Sequence, residues 1–141
     1  MNADQRKREE TRISALIKLE VGSEPDFQLM RNNNGLAEYG KAKVVYGLGS
    51  GSPDFVGILR ITDDLGAWVC LEVKVPGEDA TDEQKACHAL WRTFGAIVVV
   101  VHSAEEARAA LEYARGTIKA RLNEYATRAF CEAFSVEGRG R

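Results

Sequence analysis

The first part of the chain has apolar residues at helical spacing, and short segments rich in apolar or β-branched residues follow. These two patterns predict the first elements, a helix and then strands. Residues 5–20 place Ile13, Leu16 and Ile17 on one helical stripe, which indicates an amphipathic helix. Four segments rich in apolar or β-branched residues follow and predict strands, at 27–31, 43–46, 54–61 and 67–75. The segment 47–53 contains three glycines, two serines and a proline, so we expect a loop there.

The second half of the chain alternates between the same two patterns. Thr81 and Gln84 have the spacing of a capping box, which predicts a helix that ends near Phe94. A run of Val and Ile at 96–102 predicts a buried strand, and a second capping-box pattern at Ser103 opens a long C-terminal helix. The predicted order, α-β-β-β-β-α-β-α, indicates an α/β fold with a mixed β-sheet flanked by helices.

The C-terminal helical pattern is longer than a domain of this size needs. We expect one domain over residues 1–141, with a core at about 5–115 and a helical extension at about 116–135. Gly116 is expected to divide or bend this helix. Apolar residues recur along it at steps of three and four: Ala107, Leu111, Ala114, Ile118, Leu122, Tyr125 and Ala129, followed by Phe130 and Phe134.

The part of this helix after Gly116 would expose apolar side chains in a monomer. We therefore expect residues 118–134 to form the contact of a homodimer. The alternatives are that this part folds back over its own core, or that it frays near the tail at 138–141.

The composition indicates a packed globular protein. Hydrophobic residues make up 45% of the 141 residues, and no apolar run approaches the roughly 20 residues of a membrane span. The segment 1–10 is polar and unlike a signal peptide, and three cysteines without paired spacing indicate free thiols, so we expect a cytoplasmic protein without membrane contacts. The net charge of −2 does not indicate a nucleic-acid binder, because such domains are often strongly basic.

Two charged residues interrupt the most apolar predicted strand, 67–75. Because side chains alternate across a strand, Glu72 and Lys74 project from the same face. They form either an ion pair at the strand's exposed end or part of a site. Asp54 opens the preceding strand, where it either caps a turn or faces Glu72. Two carboxylates on neighbouring strands would suit a hard cation such as Mg²⁺, which prefers oxygen ligands.

These residues carry a family resemblance. Pro53-Asp54 with Glu72-Val73-Lys74 resembles the PD-(D/E)xK nuclease motif, and the chain from about Glu10 to Glu106 resembles the stand-alone VRR-NUC domain, the virus-type replication and repair nuclease. The matching segments are Glu10–Ile13, Arg31–Asn33 with Gly35, Tyr46–Leu48, Gly51–Asp54, Glu72–Lys74, Gln84 and Val100–Ser103.

The resemblance implies a restriction-endonuclease-like fold and a Mg²⁺- or Mn²⁺-dependent DNA endonuclease. It also implies branched DNA such as four-way junctions as a substrate, and a phage, or a bacterium carrying one, as the source. Asp54 and Glu72 would hold the metal together with the backbone carbonyl of Val73. Lys74 would orient or activate the attacking water and offset charge in the transition state.

Two further residues have a role by resemblance and an alternative from their position. Gln84 resembles a helix glutamine that touches a water on the metal or the scissile phosphate, but its place in the capping box explains it equally well. Glu10 resembles a first-helix carboxylate that completes a second metal position. Glu9, Glu10 and Glu20 all fall within about 70° of the apolar stripe, and the family pattern favours Glu10. A solvated acid in the first helical turn is the alternative for Glu10.

The remaining polar candidates are expected to contact DNA or to support the fold. Arg31, Asn33 and Ser52 are expected to meet phosphates or sugars, which take most protein–DNA hydrogen bonds. His88 and His102 are expected to be structural, because the metal mechanism needs neither.

Two other functions fit parts of the sequence. A DNA-binding module of the same fold that does not cut is the first, but the complete set of Asp54, Glu72 and Lys74 argues against it. A structural domain with a surface ion pair is the second, and it leaves the joint placement of these residues with Gln84 unexplained.

Overall fold

The computed structural model describes residues 1–137, with the side chains of all but 134, 136 and 137. The tail at 138–141 and the side chain of Phe134, both named above, therefore lie outside the described residues. The elements in chain order are α1 (Ala3–Glu20), β1 (Phe27–Arg31), β2 (Gly35–Tyr39), β3 (Ala42–Tyr46), β4 (Phe55–Arg60), β5 (Gly66–Val73), α2 (Asp82–Thr93), β6 (Ile97–Val101) and α3 (Ala104–Glu137).

A four-stranded mixed sheet forms the centre of the fold. Its strand order is β1-β4-β5-β6, in which β4 pairs antiparallel with both β1 and β5 while β5 pairs parallel with β6. The parallel pair requires a crossover, and α2 provides it. The predicted mixed sheet with flanking helices is thus confirmed.

Helices cover both faces of this sheet. Side chains of α1 and α3, among them Ile17 and Leu111, pack with Phe55 and Leu71 in the larger core on one face. On the other face, Cys70 belongs to a smaller core beneath α2. Alternate residues of β5 serve the two cores, so the face that carries Cys70 also carries Glu72.

The sequence does not predict β2. Gly35–Tyr39 contains no β-branched residue, so it lacks the usual signal of a strand. It pairs with β3 through a two-residue turn in which Gly40 has a φ of 61°, a conformation that favours glycine. The predicted strand at 43–46 is therefore β3, and it belongs to a separate two-stranded sheet rather than to the main one.

Helix α3 is continuous at Gly116, where a division or bend was expected. It runs for 34 residues through Gly116 without a break, a length of about 51 Å, so the expected division there is wrong. Among the described side chains of α3, Ile118 is the last one that is buried. Beyond that point Leu122 is 38% exposed and Tyr125 is 65% exposed, so this part does not fold back over its own core.

Two expectations from composition concern the whole chain. Within residues 1–137 no helix combines the length and the apolar character that a bilayer span requires. Cys70, Cys87 and Cys131 are free thiols, and burial raises the pKa of Cys70 to about 12.

Arg115 joins α3 to the connection between α1 and β1. Its guanidinium donates two hydrogen bonds to the carboxylate of Asp26, at 2.9 and 2.5 Å, and one to Glu24 at 3.0 Å. Such a two-pronged contact fixes geometry as well as charge. The same hydrogen bonds lower the pKa of Asp26.

We predict that Arg115→Ala lowers the free energy of unfolding by about 1–3 kcal/mol at neutral pH, the usual value of charged hydrogen bonds. Because the folded-state pKa of Asp26 is depressed, this contribution is present above the ordinary Asp pKa and is lost as pH falls through the depressed folded-state value. Urea titrations would measure both effects. Lys43→Ala, which removes an exposed pair with Glu38 at 3.8 Å, is the control and should cost under about 0.5 kcal/mol. Equal losses in the two variants would contradict the assignment.

Candidate active site

The pairing of β4 with β5 sets the two predicted carboxylates against each other. Phe55 pairs with Leu71, so one step further along the same register Asp54 stands opposite Glu72. Residues directly opposite in an antiparallel pair project to the same side with Cβ atoms about 5 Å apart. Asp54 is fixed there, because its Oδ2 accepts a hydrogen bond from the backbone N–H of Val73 at 2.9 Å.

A buried asparagine holds the loop that leads to Asp54. The side-chain amide of Asn32 donates to Ser52 Oγ at 2.9 Å and to the Pro53 carbonyl at 2.8 Å. Its carbonyl oxygen accepts from the Leu48 N–H at 3.3 Å, and the backbone N–H of Asn32 donates to the Asp54 carbonyl at 2.8 Å. One residue therefore fixes both ends of the loop and the start of β4.

The same loop lies against the first turn of α2. Gly51 has a φ of 77°, and a Cβ atom there would lie 2.7 Å from the carbonyl oxygen of Glu83. Only glycine satisfies both the backbone angle and this close approach. The contact brings the loop before Asp54 next to the helix that carries Gln84.

Glu72 is buried, with 1% of its surface exposed. Its Oε1 accepts hydrogen bonds from the Lys74 ammonium at 3.1 Å and from the Gln84 side-chain amide. Only 13% of the Lys74 side chain is exposed. The ion pair is therefore inside the protein, and the alternative of a pair at the strand's exposed end is wrong.

Gln84 forms the predicted capping box with one end of its side-chain amide and contacts Glu72 with the other end. Its Oε1 accepts from the Thr81 N–H at 2.9 Å, while Thr81 Oγ1 accepts from the Gln84 N–H at 3.2 Å, which completes the capping box. Its Nε2 donates to Glu72. The capping box is thus confirmed, while the contact of Gln84 with a metal-bound water or the scissile phosphate stays a prediction.

The surroundings of Glu72 oppose its ionisation. Burial, followed by the facing charge of Asp54, raises the pKa of Glu72 to about 7, whereas Lys74 acts to lower it. Its second oxygen, Oε2, lies 3.5 Å from Nε2 of His88, a residue in α2 that is also 1% exposed. Burial lowers the pKa of that histidine, as do the charges of Arg92 and Lys74.

Of the three acids considered in α1, Glu10 is the one whose charge interacts with the site. Burial raises the pKa of Glu10, Lys74 lowers it and Asp54 raises it, so its carboxylate lies within electrostatic range of both. Glu9 instead pairs with Arg12 at 2.7 Å, and Glu20 pairs with Arg108.

Of the three residues expected to contact DNA, Arg31 and Asn33 lie at the surface and Ser52 does not. Arg31 and Asn33 are exposed, and the Arg31 guanidinium lies over the Phe55 ring at 5.0 Å. Ser52 is buried inside the loop, where its hydroxyl accepts from Asn32 and from Asn34 and donates to the Gly49 carbonyl. Its hydroxyl is therefore occupied in holding the loop, and the surface position expected for a DNA contact is not observed.

The ligands available at this site, two carboxylates, fit a cation that retains several coordinated water molecules. No group of three or more His, Cys, Asp or Glu side chains converges on one point among residues 1–137. Mg²⁺ is commonly held by one or two carboxylates and retains several waters, so Asp54 and Glu72 are sufficient. A cation between them would also relieve the repulsion that raises the pKa of Glu72.

Two residues at the site are not identified from the sequence. His88 follows Gln84 by one helical turn on the same face of α2, a spacing that places its ring against Glu72. Asn32, rather than its neighbour Asn33, turns inward, and nothing in the Asn-rich segment distinguishes the two in advance.

A comparison with solved structures supports this architecture. One structure, described as a VRR_NUC domain, superposes with a TM-score of 0.51 and 23% sequence identity, over 74% of this chain and 95% of that one. No family model and no curated protein matches the chain. At this identity the likeness establishes the fold, and this chain therefore has the fold of a VRR-NUC domain.

Proposed function

We propose that this chain is a metal-dependent nuclease that hydrolyses phosphodiester bonds in DNA. The observation that carries the proposal is the arrangement of Asp54 opposite Glu72, with Lys74 3.1 Å from the Glu72 carboxylate, on two strands of this fold. A buried carboxylate with a raised pKa beside a charged partner is typical of functional sites.

The metal would be Mg²⁺ or Mn²⁺, held by Asp54, Glu72 and the backbone carbonyl of Val73. When bound, it supplies Lewis-acid chemistry that polarises the phosphate and makes a nucleophile available from water at neutral pH. Asp54 is oriented by the Val73 N–H and Glu72 by Gln84, so both carboxylates are fixed before a metal arrives.

Lys74 would supply the remaining charge. Its ammonium orients or activates the attacking water and offsets negative charge on the phosphorane-like transition state. The contact with Glu72 keeps the ammonium beside the carboxylates rather than free in solvent. Glu10, which lies within electrostatic range of Lys74 and Asp54, would complete a second metal position.

DNA would reach this site past exposed residues at the end of β1. Arg31 and Asn33 are the proposed contacts to phosphates or sugars. Branched DNA such as a four-way junction is the proposed substrate, because a symmetric dimer would present two sites for paired cuts. The proposed dimer contact is the exposed part of α3 that includes Leu122 and Tyr125.

The first prediction concerns metal dependence. Purified protein incubated with linear, flapped, nicked and four-way-junction DNA should cut in Mg²⁺ or Mn²⁺ and should stop in EDTA, with Mn²⁺ restoring cleavage. Ca²⁺ should support binding with little turnover, because its looser geometry holds the water less well. Full activity in EDTA would refute the metal mechanism, and binding without cleavage under every condition would favour the non-cutting DNA-binding module.

The second prediction concerns Lys74. Lys74→Ala should lower the single-turnover rate by about 100-fold or more, the usual loss of one charge-stabilising group, while the fold and metal affinity persist. Lys85→Ala is the matched control, since Lys85 pairs with Asp79 at 2.8 Å and is not among the groups that shift the pKa of Glu72. Its rate should stay within about twofold of wild type. A Lys74→Ala protein that cuts at the wild-type rate would disprove the assigned role.

The third prediction concerns the stability of the metal-free protein. The folded-state pKa of Glu72, about 7, lies above the ordinary value of 4.5, so the folded state holds a proton that the unfolded state releases. Stability should therefore fall as pH rises between these values. Glu72→Gln removes this ionisation and should exceed wild type by about 1–3 kcal/mol at about pH 8, with little difference at about pH 5.

Urea titrations in EDTA at both pH values would measure this difference. Glu105→Gln, in the exposed first turn of α3, is the control and should stay within about 0.5 kcal/mol of wild type. A Glu72→Gln protein that is less stable than wild type at about pH 8 would show that its ionised carboxylate is well accommodated.

The fourth prediction concerns assembly. If the exposed part of α3 forms the dimer contact, Leu122→Asp with Tyr125→Asp should convert a dimer to a monomer in light scattering at micromolar concentration. Ala120→Asp lies on the opposite side of the same helix and should leave the dimer intact. A monomeric wild-type protein, or a doubly substituted protein that stays dimeric, would refute this contact.

A further inference from the structure

Two buried polar atoms near the centre of the site lack a hydrogen-bond partner. Among the side chains of residues 1–137 that are described, these atoms are Oε2 of Glu72 and Nε2 of His88, and they lie 3.5 Å from each other. A buried polar atom without a partner costs about 1–3 kcal/mol. Each atom is the natural partner of the other, because an ionised carboxylate only accepts and an imidazole N–H donates.

The helix α2 directs both Gln84 and His88 at the same carboxylate. The two residues are one turn apart, and the capping box at Thr81 fixes the start of the helix. Further along the helix, the Trp91 ring contacts the Trp68 ring at a centroid distance of 5.6 Å, which fixes the other end against β5. The face of α2 that meets Glu72 is therefore held at both ends.

We propose that His88 is a positioning residue that donates a hydrogen bond from Nε2 to Glu72 Oε2 and fixes the orientation of this carboxylate. The proposal rests on the proposed function, in which Glu72 is a metal ligand. Hydrogen bonds in active sites are often long before substrate is bound, and a separation of 3.5 Å needs to shorten by only a few tenths of an ångström.

The number of acceptor positions on Glu72 shows what this contact does. A carboxylate has about four lone-pair positions. Lys74 and Gln84 use two through Oε1, and His88 would use a third through Oε2. One lone-pair position, on Oε2, is then left for a cation. The three contacts together hold the carboxylate in one orientation. Without His88, Oε2 has no hydrogen-bond donor, and only the contacts of Lys74 and Gln84 with Oε1 orient the carboxylate.

The test compares two substitutions at His88. His88→Leu removes the donor at similar volume, whereas His88→Gln keeps an amide N–H near the original Nε2. Loss of such a supporting contact commonly costs 10–100-fold in metal affinity. We expect calorimetry to show Mn²⁺ binding weakened by about 10-fold or more in His88→Leu and restored to within about threefold of wild type in His88→Gln.

Thermal denaturation of both variants separates positioning from packing. A purely structural histidine would lower the melting temperature of both variants without separating their Mn²⁺ affinities, and that result would overturn the proposal. Equal Mn²⁺ affinity in wild type and His88→Leu would overturn it as well.

A measurement on metal-free wild-type protein keeps the proposal testable if a variant does not fold. The chain has two histidines, so ¹⁵N NMR with His102→Gln for assignment identifies which ring nitrogen of His88 carries the proton. A proton on Nε2 is expected, and a proton on Nδ1 would overturn the contact. Wild-type protein that binds no Mn²⁺ would refute the proposed function and the metal-positioning role, whereas a proton on Nε2 would still support the contact with Glu72.

Discussion

The burial of the Glu72 carboxylate is the constraint on which the rest of the site depends. Removing a charge from water costs several kcal/mol unless nearby groups compensate it. Here the compensation comes from the Lys74 ammonium, just past the end of β5, and from the Gln84 amide on α2. Asp54 on the opposite strand works against it, so the site stores unfavourable electrostatic energy in the absence of a cation. Lys74 and Gln84 thus keep a buried charge tolerable and oriented.

The fold was predictable where one strong local signal agreed with the tertiary structure. Strand β5 is mostly apolar, β6 is a continuous run of Ile and Val, and α2 begins with a complete capping box. Prediction failed where the local signal was weak or was overridden. The hairpin strand β2 has no β-branched residue and is specified by its partner and by the turn at Gly40. Gly116 continues the helix because buried Ala114 and Ile118 on either side anchor it to the core, which outweighs the cost of one glycine.

The candidate site shows the same division between local and tertiary information. The alternation of side chains along a strand is enough to predict that Glu72 and Lys74 lie on one side, and their contact agrees with it. Burial is a tertiary property, so the depth of the ion pair could not be inferred from the strand alone. The sequence also could not show that Asn32, rather than Asn33, is buried. The burial of Asn32 depends on its hydrogen bond to Ser52, twenty residues further along the chain. Ser52 is buried for the same reason, since its hydroxyl is the group on which the loop before Asp54 closes.

The two ends of the Gln84 amide connect the capping of a helix to the orientation of a carboxylate. Helix ends are the places where helices open first, because their terminal N–H groups have no partner within the helix. When the first turn of α2 opens, the amide leaves Thr81 and Glu72 in the same movement. Fraying of this helical turn therefore removes one of the two contacts at Glu72 Oε1 and leaves Lys74 with the other. Any ligand that holds Glu72 in place also holds the beginning of this helix closed.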